Sequence, residues 1–209
     1  MAGLRSFWRF RIGRITELLL VKLNKLGRLK IQTRFMATPT SEDSPVEVVP
    51  YSENWPVLFA TEVALLQSAL SPWLVAEIQH VGSTAVVGLH AKPIIDMMAP
   101  VQDLESSKAA IAAAGSIGYC YYPYKPGEMH WFCKPSPAKR THHLHLIPFG
   151  SRLWQERLAF RDALRMNPAL AEEYGKLKLR LAALYPFDRE AYTEAKAPFV
   201  LSVVESNCA

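Results

Sequence analysis

The sequence predicts an α+β domain: a mixed β-sheet with flanking helices, closed by a helical C-terminal third. Three observations predict it. An amphipathic helical stretch at residues 54–70 precedes the sheet region. Between residues 74 and 148, short apolar and β-branched runs alternate with Pro- and Gly-bearing turns. From Ser151 onward the apolar spacing switches to three helical patterns. Half of the 209 residues are hydrophobic, enough for a sizeable core.

Residues 1–36 stand apart. Leu4, Trp8, Ile12, Ile15, Leu19, Leu23 and Leu26 step by three or four, which predicts an amphipathic helix. The segment carries nine basic residues and one acid, Glu17. Such a segment fits a transit peptide, a surface helix at a membrane interface, or an extension upstream of a start at Met36. The first would place the protein in mitochondria, and the last leaves it cytoplasmic. The longest apolar run, residues 18–21, is too short to cross a bilayer. Residues 37–45 read as a linker, and residues 46–205 as the folded domain.

Within the domain, residues 46–51 are extended. The helix at 54–70 tolerates Pro56 in its first turn and has an apolar stripe through Leu58, Phe59, Leu65 and Leu66. Strands are predicted at 74–81 and 93–101. Asp103 caps a helix that Gly115 closes. Three more strands follow at 117–122, 129–134 and 141–148. The C-terminal helical patterns are broken at Asn167-Pro168 and at Pro186, and most of their charges are expected on solvated faces; Lys196, set among alanines, is expected to point inward.

Composition excludes several classes. The net charge of +5 belongs to the N-terminal segment, because residues 37–209 hold 15 basic and 18 acidic residues. A broad nucleic-acid surface is therefore not expected. Cys120, Cys133 and Cys208 are odd in number and lack metal-binding spacing, which argues for a reducing compartment.

Three stretches carry candidate chemistry. His80 leads into the Gly82-Ser83 turn, where a glycine lets backbone amides approach an anion and Ser83 and Thr84 add hydroxyls; Lys92 adds charge. Asp96 lies in "PIIDMMAPV", where a carboxylate among apolar neighbours is costly unless paired or metal-bound. It is the candidate catalytic residue and metal ligand. In "RTHHLHL", Arg140 opens a strand on which His143 and His145 share a face, about 7 Å apart. Two imidazoles need a further ligand such as Asp96 to complete a metal site. Tyr192 and Lys196 share a helix face at i, i+4.

Taken in order, "VVPYSENWP", "HVGSTAVVGLHAKPIID", "RTHHLHL", "LAFRDALR" and "DREAYTEAKAPF" resemble the GrpB family, over residues 46–201. The family is assigned to the nucleotidyltransferase superfamily. The resemblance implies a nucleotidyltransferase-like sheet in which Gly82 and Ser83 form the phosphate turn and Asp96 is the first carboxylate. Met98 stands where the superfamily has a second carboxylate, and the His143/His145 pair takes the place of the third. A divalent metal (Mg, Mn or Zn) is implied, and imidazole ligands favour Zn or Mn over Mg. Val87 replaces the usual proline of "VPGL", and Met129 and His130 stand near a place where the family often has arginine. The resemblance implies binding of a nucleotide or other small phosphorylated molecule, through His80, Gly82, Ser83, Thr84, Lys92, Arg140 and Lys196, with metal-dependent nucleotidyl or phosphoryl transfer as the reaction class. The alternative is a non-catalytic folding aid for coenzyme A biosynthesis enzymes, because the same domain occurs fused to dephospho-coenzyme A kinase.

Overall fold

The computed structural model describes the backbone of three strands within residues 9–35, and residues 45–207 in full. The chain divides into two compact units, residues 1–43 and 44–209. In the first, β1 (Arg9–Ile12), β2 (Ile15–Leu23) and β3 (Leu29–Phe35) form an antiparallel sheet in the order β1-β2-β3. The expected amphipathic helix is therefore corrected to a strand meander. Its sequence suits the pleat: Leu29, Ile31, Thr33 and Phe35 alternate with Lys30, Gln32 and Arg34, and with one acid the segment lacks the i, i+4 ion pairs that support a helix. Two residues, Gly13 and Arg14, separate β1 from β2, a hairpin spacing that the helical reading passed over.

The second unit begins with α1 (Trp55–Leu70), β4 (Gln79–Val81) and a 3-10 turn at Ser83–Ala85. β5 (Ile95–Val101), α2 (Ala110–Ser116), β6 (Cys120–Tyr122), β7 (His130–Pro135) and β8 (Arg140–Pro148) follow. The chain ends in α3 (Arg152–Met166), α4 (Pro168–Leu184) and α5 (Arg189–Asn207). Five strands make one mixed sheet, β4-β5-β8-β7-β6, in which β5 and β8 are parallel and the other pairs antiparallel. This is the expected α+β architecture.

The two faces of the sheet are covered differently. On one, Ile95, Met97, Ala99, Val101, Phe132, Leu144 and Leu146 pack against α1 and α2. Burying Leu66 and Leu70 completely stabilises the fold by roughly 2 kcal/mol each. The stripe of α1 runs through Trp55, Phe59, Glu62, Leu66 and Leu70, whereas Leu58 and Leu65 are exposed. Glu62 belongs in that stripe because Lys134 on β7 reaches it at 2.8 Å and the Tyr119 hydroxyl donates to it at 3.0 Å. On the other face, Val81, Met98, Trp131, Cys133 and Ile147 meet Trp154 of α3.

Some boundaries move. The strand expected at 74–81 contracts to β4 and an isolated bridge between Leu74 and Val101. Asp103 accepts from the Ser106 amide at 2.7 Å in a turn before α2, and the helix is closed by Gly118 (φ 91°), which takes the left-handed conformation that Gly115 does not need. Asn167 ends α3, and its side chain caps α4 through the Leu170 amide at 3.1 Å, with Pro168 at the first helical position. Cys120 and Cys133 are free thiols, and Cys208 lies outside the described residues. Among the described residues no helix is long and apolar enough to cross a membrane.

His80 faces α1. Its ring stacks on Phe59 at 4.5 Å, and its Nε2 lies 3.0 Å from the Thr84 hydroxyl, which itself donates to the Ile94 carbonyl at 3.1 Å. Burial, reinforced by Arg165 and Arg161 against the opposing pull of Asp96, lowers the His80 pKa to about 4. An unfolded histidine titrates near 6.5, so the contribution of His80 to stability is complete above that pH and is lost as pH falls towards 4. Denaturant titrations at pH 7 and pH 5 should show about 2 kcal/mol of lost stability from this residue. In His80→Gln that share of the pH dependence should vanish; an unchanged slope would refute the assignment.

Candidate metal and anion site

Parallel pairing of β5 with β8 sets Asp96 beside His143 and Met98 beside His145, all on the face that carries α3. Asp96, His143 and His145 each offer a ligand atom, and the three atoms lie within 4.8 Å of one another. His143 Nδ1 is 2.9 Å from Asp96 Oδ1, and His145 Nε2 is 3.7 Å from the same oxygen. Burial works to raise the Asp96 pKa, but the hydrogen-bonding His143 and His145 imidazoles outweigh it and hold the carboxyl well below its usual range. The ionised carboxylate can only accept, so His143 Nδ1 carries the proton of that bond. His145 Nδ1 lies 3.4 Å from Met129 Sδ. Burial lowers the His145 pKa to about 3, aided by Arg157 against the opposing effect of Asp96, which keeps the ring neutral. Both Nε2 atoms are buried without a hydrogen-bond partner. Two such imidazoles and one ionised carboxylate form a donor set that fits a borderline divalent ion such as Zn or Mn. Met98 is completely buried among Val81, Met129 and Trp131, so the second carboxylate position is dry and apolar.

Gly82 (φ 71°) is fitted to Asp96. A Cβ at this position would lie 2.5 Å from Asp96 Oδ2 and 3.1 Å from its Cβ. The 3-10 turn that follows brings Ser83 towards the Tyr174 phenol on α4, where it opposes the burial that raises the pKa of that phenol.

Three lysines gather around two tyrosines next to this turn. Lys196 Nζ is 4.2 Å and Lys92 Nζ 5.2 Å from the Tyr192 ring, and Lys178 Nζ is 4.7 Å from the Tyr174 ring while donating to the His90 carbonyl. Burial pushes Lys178 and Lys196 down to about 7, and the lysines depress one another further; Lys92 is lowered as well. Asp96 opposes the shift for Lys92 and Lys196. Lys92 and His143 also line a cavity of about 370 Å³ with Lys139, Arg140 and Arg189, against one acid, Glu47. A larger, mainly apolar cavity of about 740 Å³ between residues 85–90 and α4 includes neither Asp96 nor these lysines.

The structure thus brings Asp96, His143, His145, Gly82, Ser83, Lys92 and Lys196 together, with Arg140 on the cavity wall. It does not bring His80 and Thr84 with them. Both face α1 and hold the turn through their own hydrogen bonds, which corrects their assignment as phosphate contacts. The helix charges expected at the surface are corrected too. Lys178 is 2% exposed, and Arg161 and Arg165 donate to the His80 and Ala85 carbonyls, fastening α3 to β4 and the turn. Sequence reasoning counted Lys178 among the solvated helix charges and passed over Arg157, a guanidinium that bonds Met129 Sδ at 3.7 Å and is charge-coupled to Asp96. A signal for Lys178 existed: Tyr174-Lys178 repeats the Tyr192-Lys196 spacing on the preceding helix.

Fold and site together define an α+β protein with a nucleotidyltransferase-like sheet and one carboxylate flanked by histidines. The family model described as GrpB protein matches residues 45–206, and the chain belongs to the GrpB family. A UPF0157 protein of Pseudomonas aeruginosa is 37% identical over 169 residues, covering 78% of this chain and 68% of that one. The glutamate-rich protein GrpB of Alkalihalophilus pseudofirmus is 36% identical over 160 residues, covering 74% and 91%. The crystal structure of conserved protein GrpB from Enterococcus faecalis superposes with a TM-score of 0.71 at 33% identity, covering 77% of this chain and 96% of that chain.

Gly82→Ala tests the close approach. The substitution both strains a left-handed backbone and drives a methyl into Asp96, so it should cost about 2 kcal/mol or more in denaturant titrations. A variant as stable as the wild type would show that Asp96 does not need the space.

Proposed function

We propose that this protein binds a small phosphate-bearing molecule of the nucleotide class together with a divalent metal ion. The observation that carries the reading is the juxtaposition of an ionised Asp96 and two histidines, whose buried Nε2 atoms lack partners, with a cationic cavity. Asp96, His143 and His145 would hold the ion, which when bound would polarise a phosphoryl oxygen. The residues of the chain do the rest. Gly82 opens the backbone to close approach, and Ser83 presents its hydroxyl beside the Tyr174 phenol. Lys92 and Lys196 supply positive charge that Asp96 alone does not neutralise, and Lys178 holds the His90 carbonyl while adding to the same field. Arg140 and Arg189 extend that field along the cavity wall.

Met98 favours a second reading for the chemistry. Transfer through two metal ions needs carboxylates that bridge both, and the apolar packing of Met98 supplies no ligand for a second ion. Binding without nucleotidyl transfer, as in a folding aid or sensor, is consistent with that loss.

Metal analysis and calorimetry on the full chain test the first reading. Zn or Mn should bind at one equivalent, and affinity should fall at least tenfold in Asp96→Asn, His143→Ala or His145→Ala. Equal metal content in wild type and all three variants would remove the site. Turnover of a nucleoside triphosphate with Mn that disappears in Asp96→Asn would decide against the non-catalytic reading.

The lysines carry a separate expectation. With Lys178 and Lys196 titrating near 7, their charge is present below that pH and is lost as pH rises through it. Tripolyphosphate affinity should therefore weaken between pH 6.5 and pH 8.5, and less steeply in Lys196→Arg, whose guanidinium stays charged. A flat pH profile would exclude both amines from the anion site.

A further inference from the structure

The cationic cavity continues into an aromatic cluster. Two of its lining residues, Arg140 and His143, also flank Trp131: the Arg140 guanidinium carbon is 5.2 Å and the His143 ring 5.1 Å from the indole centroid. On the far side of the indole stand Tyr122 and Tyr124, with centroids 6.2 and 6.4 Å away and rings inclined to it by 86° and 69°. Pairing of β6, β7 and β8 puts Tyr122 opposite Trp131 and Trp131 opposite His145, so this cluster shares the sheet face of the metal-binding triad. The preceding Tyr121 turns the other way, against His130 and Phe132.

Exposure separates the roles of these rings. Trp131 is 8% exposed and acts as a floor, whereas Tyr122 and Tyr124 remain 57% and 49% exposed. A single exposed tyrosine needs no explanation. Two inclined against a buried tryptophan, which Arg140 and His143 of the charged cavity also flank, offer exposed aromatic faces with hydroxyl rims. Arg157, bonded to Met129 Sδ, is within electrostatic reach of both Asp96 and Tyr124.

We propose that Tyr122, Tyr124 and Trp131 form a subsite for a planar heteroaromatic ring, such as a nucleobase, of the ligand whose phosphates occupy the lysine cavity. The inference rests on the phosphate-binding reading and deepens it by naming the other half of the ligand. Stacking on aromatic side chains tolerates any base, because every base has a π-face. These rings therefore favour nucleotides over inorganic polyphosphate without demanding one base.

The test is calorimetry on the full chain with Mn present. The probes are the four common ribonucleoside triphosphates and inorganic tripolyphosphate, each offered to wild type and to Tyr122→Ala/Tyr124→Ala. At least one nucleotide should bind more tightly than tripolyphosphate. The double variant should lose about tenfold or more of that nucleotide affinity while its tripolyphosphate affinity stays unchanged. Both tyrosines are half exposed, so the variant is expected to melt like the wild type. If nucleotides and tripolyphosphate bind alike in wild type, or if the variant loses neither, the ring subsite is overturned while the anion site stands. Equal loss of both probes also overturns it, because the hairpin would then act on the anion site as a whole. Failure of any probe to bind the wild type overturns this subsite and the phosphate reading together.

Discussion

The Asp96 carboxylate is the constraint around which this face of the sheet is organised. A charge on an inner strand is costly to desolvate unless hydrogen bonds and opposite charge surround it. Here His143 donates to it from the neighbouring parallel strand, His145 approaches from two residues further along, and Arg157 adds positive potential from α3. Gly82 completes the enclosure from the other side by leaving out a side chain. These positions are interdependent. The carboxylate stays ionised because of the histidines, and His145 stays neutral because its burial outweighs the attraction of that same carboxylate.

The opposite face supplies the rigidity that such an arrangement needs. α1 and α2 seal it with completely buried aliphatic residues, and β5 and β8 contribute alternate side chains to both sides. Asp96 and Met97 thus differ by one residue and face opposite environments. Rigid strands fix the histidines, while Lys178 and Lys196 arrive on helices that pack by their own apolar contacts, such as Tyr174 stacked on Phe199. Lys178 is the residue here that best supports the proposed anion site. Placing an amine at 2% exposure beside two others lowers its pKa to about 7, an arrangement that a bound negative charge would relieve.

Much of the site was legible because its residues break local patterns. Asp96 interrupts an apolar strand, and His143 and His145 alternate with Leu144 and Leu146 in a period that fixes their shared face. Gly82 was legible as a turn, although its reason, the proximity of Asp96, was not. His80 and Thr84 misled because they sit within the same stretch but on the side that faces α1. Lys178 looked like a solvated helix charge, since helical spacing alone does not say which face another helix will cover. The N-terminal strands were hidden by a sequence whose apolar residues satisfy helical spacing and strand pairing at once.

By itself, the sequence determined the α+β class, the order of the strands and helices of the domain, the family resemblance, and the chemical identity of the triad, because these depend on local periodicity and on which residue types occur. Tertiary structure decided the rest: that β5 lies parallel beside β8, so that Asp96 meets His143; that Glu62 and Lys178 are buried; and that three lysines converge on two tyrosines. Those facts depend on pairing between segments far apart in the chain, and no local pattern specifies which partner a side chain will find across that distance.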